Sequence, residues 1–388
     1  MKVRYEAWGA WVRTEQPPAL VALDRDGARA VGLDGADVWR AAPDAPTATE
    51  PLEVHVAVTS RCGVGCEGCY LDATPDGAHV PIDRLLATID AVADAGAFVV
   101  AFGGGEPILR DDLDRVAGHA RARGLVPVVT TSGLGLTRAR AARLRAFAQV
   151  NVSYDGAGAT YATVRGVDAA DEAERAIALL REEGVRVGVN VVLTRASFDA
   201  LDATLARAHA LGAIEAQLLR YKPAGRAARL DYLAKRLAPA QVDALAGVLR
   251  AYVARPEAER VRVRIDCALL PFLSTDAELT ARAAELVRFG VLGCEAGGAL
   301  AAVRADGRVA GCSFAPPGGA LSGSFADDPD VARLRAWGDT PNGACASCQL
   351  ARACRGGCKI VSRFLDPSAD AGPDPECPRA RRGAQRPS

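Results

Sequence analysis

Three cysteines close together in the first third of the chain have the spacing of a metal-binding loop. Cys62, Cys66 and Cys69 follow the pattern C-x3-C-x2-C. Three thiolates can hold three irons of a cubane iron–sulfur cluster, because cysteine sulfur is the usual ligand of such clusters. The fourth iron then stays open to bind and activate a small molecule. A zinc site would need a fourth nearby ligand, and neither His55 nor His79 has a zinc-site spacing.

A glycine run follows a predicted strand about thirty residues later. Residues 98–102 are short, apolar and rich in β-branched and aromatic types, which is typical of a buried parallel strand. The next five residues are Gly103, Gly104, Gly105, Glu106 and Pro107. Consecutive glycines let backbone groups approach a ligand that a Cβ would block. An ordinary strand-end turn is the alternative for this run alone, but its position one strand–helix unit after Cys69 favours ligand binding.

Together the two motifs resemble those of the radical S-adenosylmethionine (SAM) enzymes. In that family three cysteines hold a [4Fe-4S] cluster whose open iron chelates SAM, and a GGEP motif holds the methionine ammonium. The resemblance implies that Cys62, Cys66 and Cys69 are catalytic cluster ligands and that residues 103–107 bind the cofactor. It also implies reductive cleavage of SAM to a 5′-deoxyadenosyl radical, which takes hydrogen from a substrate carbon.

The other eight of the eleven cysteines lie in the last third of the chain. Seven of them resemble the pattern of the SPASM domain, a twitch-type auxiliary domain that carries two further [4Fe-4S] clusters. By this resemblance the first auxiliary cluster takes Cys294, Cys312 and Cys358, and the second takes Cys345, Cys348, Cys354 and Cys377. Cys267 lies outside the seven-cysteine pattern. Three alternatives stay open for Cys267. It is the fourth ligand of the first auxiliary cluster, or that cluster keeps an open iron for substrate, or Cys267 is a buried free thiol. A zinc-ribbon pair of sites is the alternative for the whole block.

Alternating strand and helix patterns predict an α/β fold. Strands are predicted at 54–58, 98–102, 126–130, 150–153, 187–193 and 214–219. Such alternation implies a parallel sheet with right-handed crossovers. The family resemblance implies that the six strands curve into a partial (β/α)6 TIM-like barrel, where chemistry gathers at the carboxyl ends of the strands.

That rule nominates polar residues at the later strand ends as cofactor contacts. Ser153, Asn190 and Arg220 end or lie in the fourth, fifth and sixth strands, and by resemblance such groups contact SAM. Tyr70, directly after the last cluster cysteine, resembles the aromatic that packs near adenine. The alternatives are ordinary cap, turn or core roles.

The chain divides into four predicted segments. Residues 1–50 form a short N-terminal β-hairpin region, 51–260 the barrel, 261–377 the auxiliary cluster domain and 378–388 a disordered tail. Strands at 19–23 and 28–33 are expected to form the hairpin. We expect a small flap over the barrel rather than a full leader-binding module, although an edge hairpin could take a peptide by strand addition.

Charge and hydropathy limit the partners. Lys+Arg and Asp+Glu both number 47, so no global field favours nucleic acid. No signal-peptide segment or apolar run of membrane length is evident, and eleven cysteines favour metal binding in a reducing compartment, so we expect a cytoplasmic protein without a membrane partner. SPASM relatives mostly crosslink or oxidise peptides or proteins, with electrons from an external donor of flavodoxin or ferredoxin type. Peptide maturation is therefore the first prediction. The alternatives are modification of a small molecule such as a tetrapyrrole side chain, and a non-catalytic iron–sulfur electron carrier.

Overall fold

The computed structural model describes residues 1–15, 18–40, 48–288, 291, 293–321, 323–337 and 341–384. Its strands are β1 (Lys2–Glu6), β2 (Gly9–Glu15), β3 (Pro18–Asp24), β4 (Glu53–Thr59), β5 (Val99–Gly104), β6 (Val126–Thr131), β7 (Gln149–Ser153), β8 (Val187–Leu193), β9 (Glu215–Arg220), β10 (Arg262–Ile265), β11 (Leu300–Val303) and β12 (Val309–Ala310). Its helices are α1 (Arg25–Ala30), α2 (Ile82–Asp94), α3 (Leu113–Ala122), α4 (Arg138–Arg143), α5 (Ala159–Arg165), α6 (Ala170–Glu182), α7 (Arg195–Asp199), α8 (Leu201–Ala210), α9 (Tyr232–Lys235), α10 (Pro239–Val253), α11 (Ala277–Ala281), α12 (Ala283–Arg288), α13 (Pro329–Ala336), α14 (Ala351–Cys354), α15 (Lys359–Leu365) and α16 (Pro378–Ala384). None of these helices is both long enough and apolar enough to cross a bilayer.

One large sheet organises most of the molecule. Its strand order is β10-β9-β8-β7-β6-β5-β4-β11-β12, and β4 to β9 are the six predicted strands, parallel and adjacent in chain order. The two ends of the sheet do not pair with each other. The α/β class and the open, partial barrel predicted from the sequence are therefore confirmed.

The core lies between the sheet and the helices that connect its strands. In β4, Val54, Val56 and Val58 are buried, while Glu53, His55 and Ala57, which alternate with them, are only partly buried. Helix α2 turns Leu85, Ile89 and Val92 toward this core, at the spacing of one helical face. Each such side chain contributes roughly 1.5–3 kcal/mol when it is fully buried. The packing fixes the strands, and thereby the loops at their carboxyl ends.

The sheet continues into the C-terminal part of the chain. Strand β10 pairs in parallel with β9, and β11 pairs in parallel with β4 at the opposite side. Both lie within the segment predicted as the auxiliary domain, so the sheet crosses the predicted boundary at residue 260. The antiparallel partner of β11 is β12, and the turn between the two strands contains Gly307.

The N-terminal region is a three-stranded antiparallel sheet, β1-β2-β3, and not the predicted hairpin. The prediction of a strand at 28–33 is wrong, because Arg25–Ala30 form helix α1 instead. Asp24 caps this helix by accepting a hydrogen bond from the Gly27 amide. Lys2 donates to the carbonyl of Ala97, and Trp8 and Trp11 pack against Phe98. These contacts precede β5, at the amino ends of the barrel strands, so the sheet is no flap over the carboxyl ends.

The predicted disorder of the C-terminal tail is wrong over 378–384, which form α16. The Arg381 guanidinium bonds Asp243 of α10 at 2.9 Å, and the Arg381 amide donates to the carbonyl of Cys377. The first of these bonds attaches the helix to α10 of the barrel, and the second belongs to the first turn of α16 itself. Residues 385–388 of the predicted tail lie outside the described residues, as do residues 41–47 of the predicted N-terminal region.

Candidate active site

The three spaced cysteines lie in the loop that follows β4. All three are partly buried. Burial raises the pKa of the Cys62 thiol, and the charges of Glu106, Cys66 and Cys69 raise it further. Within the described ranges, no three His, Cys, Asp or Glu side chains are arranged to hold a single metal ion. The fit to a cubane depends on the thiolate donors of one loop, each of which would bind a different iron.

The glycine run interlocks with the start of the cysteine loop. The Gly105 amide donates to the Thr59 carbonyl at 2.7 Å, and the Glu106 amide donates to the Arg61 carbonyl at 2.8 Å. A Cβ on Gly105 would overlap the Arg61 carbonyl, and one on Gly104, which has φ +121°, would overlap that of Thr59. Glycine is therefore required at both positions, and the two predicted motifs form one backbone unit.

Glu106 joins this unit to the end of β6. Its carboxylate is buried and accepts hydrogen bonds from the Thr131 hydroxyl at 2.6 Å and from the Ser132 amide at 2.8 Å. It also accepts from the Ser132 hydroxyl and from the amide of Ile108, one residue after Pro107. The glutamate of the glycine motif thus orders two neighbouring strand ends.

A third loop closes over the cysteines from β9. Arg226 donates through Nε and Nη2 to the Cys66 carbonyl, at 3.2 and 3.1 Å, and through Nη1 to the Ala73 carbonyl at 2.9 Å. Its own amide donates to the Cys69 carbonyl. Gly225 has φ +55°, and a Cβ there would lie 2.6 Å from the backbone of Tyr70. The glycine run and the loop after β9 therefore both bond the cysteine loop, and Glu106 connects the glycine run to the end of β6.

Tyr70 lies between the cysteine loop and the C-terminal region. Its ring packs on that of Phe314 with centroids 4.7 Å apart, and Phe314 follows Cys312 by two residues. Burial, with the charge of Cys69, raises the pKa of Tyr70 to about 12, so the phenol is neutral at physiological pH. Its hydroxyl lies 3.9 Å from the position a Cβ of Gly103 would take.

Two predicted cofactor contacts lie side by side at the ends of β7 and β8. Ser153 and Asn190 are register partners in the parallel pair, and both are half-buried. Asn190 donates to the Thr130 hydroxyl at 3.4 Å, while its Oδ1 is buried and finds no partner among the described residues. Buried acceptors in proteins usually have a hydrogen-bond donor, so this oxygen is available to a donor such as a ligand hydroxyl.

Arg220 has a different environment from the one predicted. Its guanidinium is buried and donates to the Asp374 carboxylate, to Glu376 at 2.7 Å and to the Ala268 carbonyl at 3.2 Å. It also lies over the Phe272 ring. These bonds use all four terminal N–H groups, so Arg220 connects β9 to the C-terminal segment and is left out of the cofactor set.

The structure divides the eight C-terminal cysteines into two groups. In the first, the Cys267 thiol lies within hydrogen-bonding reach of Cys294, and this contact lowers the pKa of Cys294 below its usual value. Burial raises the pKa of Cys312 and of Cys358, and the charge of Cys294 adds to both shifts. Cys267, the cysteine outside the predicted pattern, therefore lies with these three.

The second group contains the remaining four cysteines. Burial raises the pKa of Cys354, and the charges of Cys377, Cys345 and Cys348 raise it further. The Cys377 sulfur lies 3.1 Å from the Ser274 hydroxyl. These are the four cysteines that the sequence assigns to one auxiliary cluster, and they come from separate short helices and turns.

Three sets of polar contacts near these groups were not predicted from the sequence. Arg165, at the end of α5, bonds the Cys66 sulfur. Lys222 forms a buried ion pair with Asp266, next to Cys267, and lies 4.3 Å from the centroid of the Phe314 ring. Their partners are far apart in the chain, so no local spacing indicates them.

The third set of polar contacts is inside the barrel. His55 bonds the Ser313 hydroxyl through Nδ1 and the Glu53 carboxylate through Nε2, at 2.5 and 2.8 Å. Ser313 directly follows Cys312, which places this set beside the first auxiliary group.

A cleft of about 1080 Å³ opens beside the cysteine loop. Tyr70 and Phe314 line it together with Phe364 of α15, and Asp72, Arg363 and several prolines also contribute to its walls. The barrel supplies one side and the C-terminal region the other. The cleft therefore reaches the cysteine loop at Tyr70, which is one of the predicted SAM contacts.

Comparison with known proteins identifies related chains. Residues 56–207 match the family model of the Radical SAM superfamily. The mycofactocin maturase MftC of Mycobacterium ulcerans is 30% identical over 342 residues, covering 84% of this chain and 88% of the relative. An AdoMet-dependent heme synthase of Methanosarcina barkeri is 25% identical over 327 residues, covering 79% and 90%.

Among solved structures, Streptococcus suis SuiB bound to precursor peptide SuiA has the same fold. The TM-score is 0.73 at 16% identity, and the match covers 97% of this chain and 98% of SuiB. The glycine motif, the cysteine loop and the relatives agree with one another. The chain thus belongs to the radical SAM superfamily, as an enzyme with a C-terminal auxiliary domain.

Proposed function

We propose that this enzyme modifies a peptide or protein substrate in the cleft lined by Tyr70, Phe314 and Phe364. The cleft is the observation that carries the proposal. Its volume, about 1080 Å³, is at the upper end of the range of about 300–1,000 Å³ for small-molecule pockets. An extended peptide segment fits such a space between two parts of a molecule. The relatives named maturases, and the SuiB structure with its precursor peptide, support the same substrate class.

The proposed cofactors are SAM and three [4Fe-4S] clusters. Cys62, Cys66 and Cys69 would hold the first cluster, and SAM with this cluster supplies hydrogen abstraction from an unactivated carbon. Cys267, Cys294, Cys312 and Cys358 would hold the first auxiliary cluster. The contact between Cys267 and Cys294 supports a ligand role for Cys267. Cys345, Cys348, Cys354 and Cys377 would hold the second auxiliary cluster.

The protein's own residues position and shield the reactants. In the proposal, the backbone of Gly103–Gly105 would hold the methionine ammonium, and Glu106 keeps that loop in place through its bonds to Ser132. Asn190 Oδ1 would accept a cofactor hydroxyl, and Ser153 is its register partner in the neighbouring strand. The Tyr70 ring, neutral and packed on Phe314, excludes water from the side of the cleft nearest the cysteines. An external flavodoxin or ferredoxin supplies the electron, as a cytoplasmic location would allow.

The test is anaerobic reconstitution followed by SAM, dithionite and candidate peptides deuterated at single positions. Deuterium in the 5′-deoxyadenosine that forms only with a peptide supports the proposal. Deuterium transferred only from a porphyrin would favour the tetrapyrrole alternative, which the heme synthase relative supports. If protein with full iron content forms no 5′-deoxyadenosine, the result would favour the alternative of a non-catalytic electron carrier.

A pair of tryptophan substitutions tests the cleft itself. Ala228 lines the cleft, so Ala228→Trp places an indole in it and should raise KM for the peptide at least tenfold. Ala234→Trp is the matched control, because Ala234 is exposed on the nearby helix α9 and is not part of the cleft. Equal KM values for the two variants would contradict the cleft as the substrate site.

A further inference from the structure

Arg165 contacts the cysteine loop with both its backbone and its side chain. The Glu67 amide donates to the Arg165 carbonyl at 3.0 Å, so the end of α5 is fixed next to Cys66. The next residue, Gly166, has φ +72°, and a Cβ there would clash with the Glu67 side chain. The approach of these two segments is therefore built into the fold.

The guanidinium bridges a cysteine sulfur and a carboxylate. Nη2 of Arg165 donates to the Cys66 sulfur at 3.2 Å, and Nη1 donates to Asp155 at 2.8 Å. The second Asp155 oxygen accepts from the Val192 amide at 2.7 Å. The side chains of Arg165 and Asp155 are only 15% and 4% exposed, so solvent cannot replace these bonds at low cost.

The bridge is rigid on its remaining side. The Arg165 guanidinium lies 5.4 Å from the centroid of the Tyr161 ring, and Tyr161 is buried. Asp155 lies two residues after the end of β7 and accepts a hydrogen bond from Val192 of β8, so both strands help to orient the arginine. The N–H group that faces the sulfur is consequently preorganised.

We propose that Arg165 sets the reduction potential of the cluster ligated by Cys66. This inference depends on the proposed cluster at Cys62, Cys66 and Cys69. Reduction adds one electron to the cluster and moves no proton at Arg165. Hydrogen bonds to cluster sulfurs and nearby charge are the means by which a protein sets such potentials. Because Asp155 offsets much of the guanidinium charge, the directional N–H···S bond carries most of the effect.

The structure offers a matched comparison with Arg226. Both arginines approach Cys66, but Arg226 donates to the Cys66 carbonyl and not to the sulfur. Its charge has no carboxylate partner among the ion pairs found in the described part of the chain. If charge alone set the potential, loss of Arg226 would matter at least as much as loss of Arg165. If the bond to sulfur sets it, Arg165 matters more.

The experiment is an EPR-monitored redox titration of reconstituted wild-type protein, Arg165→Gln and Arg226→Gln. The cluster is identified by the change that SAM causes in its signal, which tests the proposed cluster independently of Arg165. We expect Arg165→Gln to lower the equilibrium constant for reduction about tenfold, which is 59 mV for one electron. The shift in Arg226→Gln should be clearly smaller. Equal shifts, or no shift in Arg165→Gln, would overturn the proposal.

A second measurement uses the wild-type protein, so that the proposal can be tested even if Arg165→Gln binds no cluster. Protein labelled with 15N-arginine is reduced, and pulsed EPR of the SAM-sensitive signal is searched for guanidinium nitrogen. Coupling to 15N that remains in Arg226→Gln assigns the contact to Arg165. No coupling in the wild-type protein would overturn the proposal without any variant at that position.

Discussion

Replacing Gly105 with alanine tests the junction between the glycine run and the cysteine loop. The new Cβ would overlap the carbonyl oxygen of Arg61. Backbone at this point cannot yield alone, because the Gly105 and Glu106 amides donate to Thr59 and Arg61 on either side. The two loops must therefore separate for the alanine to fit.

The structure gives the size of the effect. Each of the two backbone hydrogen bonds contributes about 1 kcal/mol to stability, and overpacking of a well-packed site costs about 1–3 kcal/mol. We expect the free energy of unfolding to fall by about 3 kcal/mol. If the loops relax apart instead, loss of about 2 kcal/mol from cofactor binding raises the Kd for SAM about thirtyfold.

The assay combines urea unfolding with anaerobic calorimetry of SAM binding. Gly63→Ala is the control within the same cysteine loop, because a Cβ on Gly63 meets no atom within 4 Å. It should keep both the stability and the affinity of the wild-type protein. Wild-type stability and SAM affinity in Gly105→Ala, with full iron content, would refute the reasoning.

Further substitutions test other parts of the account. Glu106→Gln replaces an acceptor oxygen that holds Ser132, so calorimetry should show the Kd for SAM raised about tenfold; an unchanged Kd would contradict the role of Glu106. Asp374→Asn leaves the buried Arg220 guanidinium short of a charge partner and should cost about 3 kcal/mol in urea unfolding; a loss under 1 kcal/mol would exclude a structural role for the pair. Burial raises the pKa of Glu174, but bonds from Arg207 and Tyr154 outweigh this and lower it below 4.5. The stability lost in Glu174→Gln should therefore be constant from pH 7 to 5 and narrow below 4.5, as the wild-type carboxylate becomes protonated; a difference that disappears above pH 5 would contradict the sign.

Local patterns were sufficient to predict the barrel. Each predicted strand from 54–58 to 214–219 is present, because buried parallel strands are continuous apolar runs that a sequence shows directly. The prediction for the N-terminal region was wrong for an equally local reason. The strands predicted at 19–23 and 28–33 leave Asp24 in the turn between them, whereas its side chain caps a helix, and both roles suit aspartate.

Charge pairs between residues far apart in the chain could not be predicted from the sequence. Arg220 was expected at the cofactor because it ends a barrel strand, yet Asp374, 154 residues later, binds it. Arg165 was missed because its partner Cys66 is 99 residues earlier. The position of a polar residue at a strand end makes it a candidate cofactor contact. Whether it binds the cofactor or forms an ion pair depends on the element that packs against it.

The most direct test of the account is electron–nuclear double resonance on the reduced protein with SAM whose carboxylate carries 17O. The account predicts 17O coupling to a cluster that disappears in Cys66→Ala, since an open iron at this loop binds the cofactor. An iron-loaded wild-type protein without 17O coupling would show that the cluster offers SAM no iron, and would contradict the central claim.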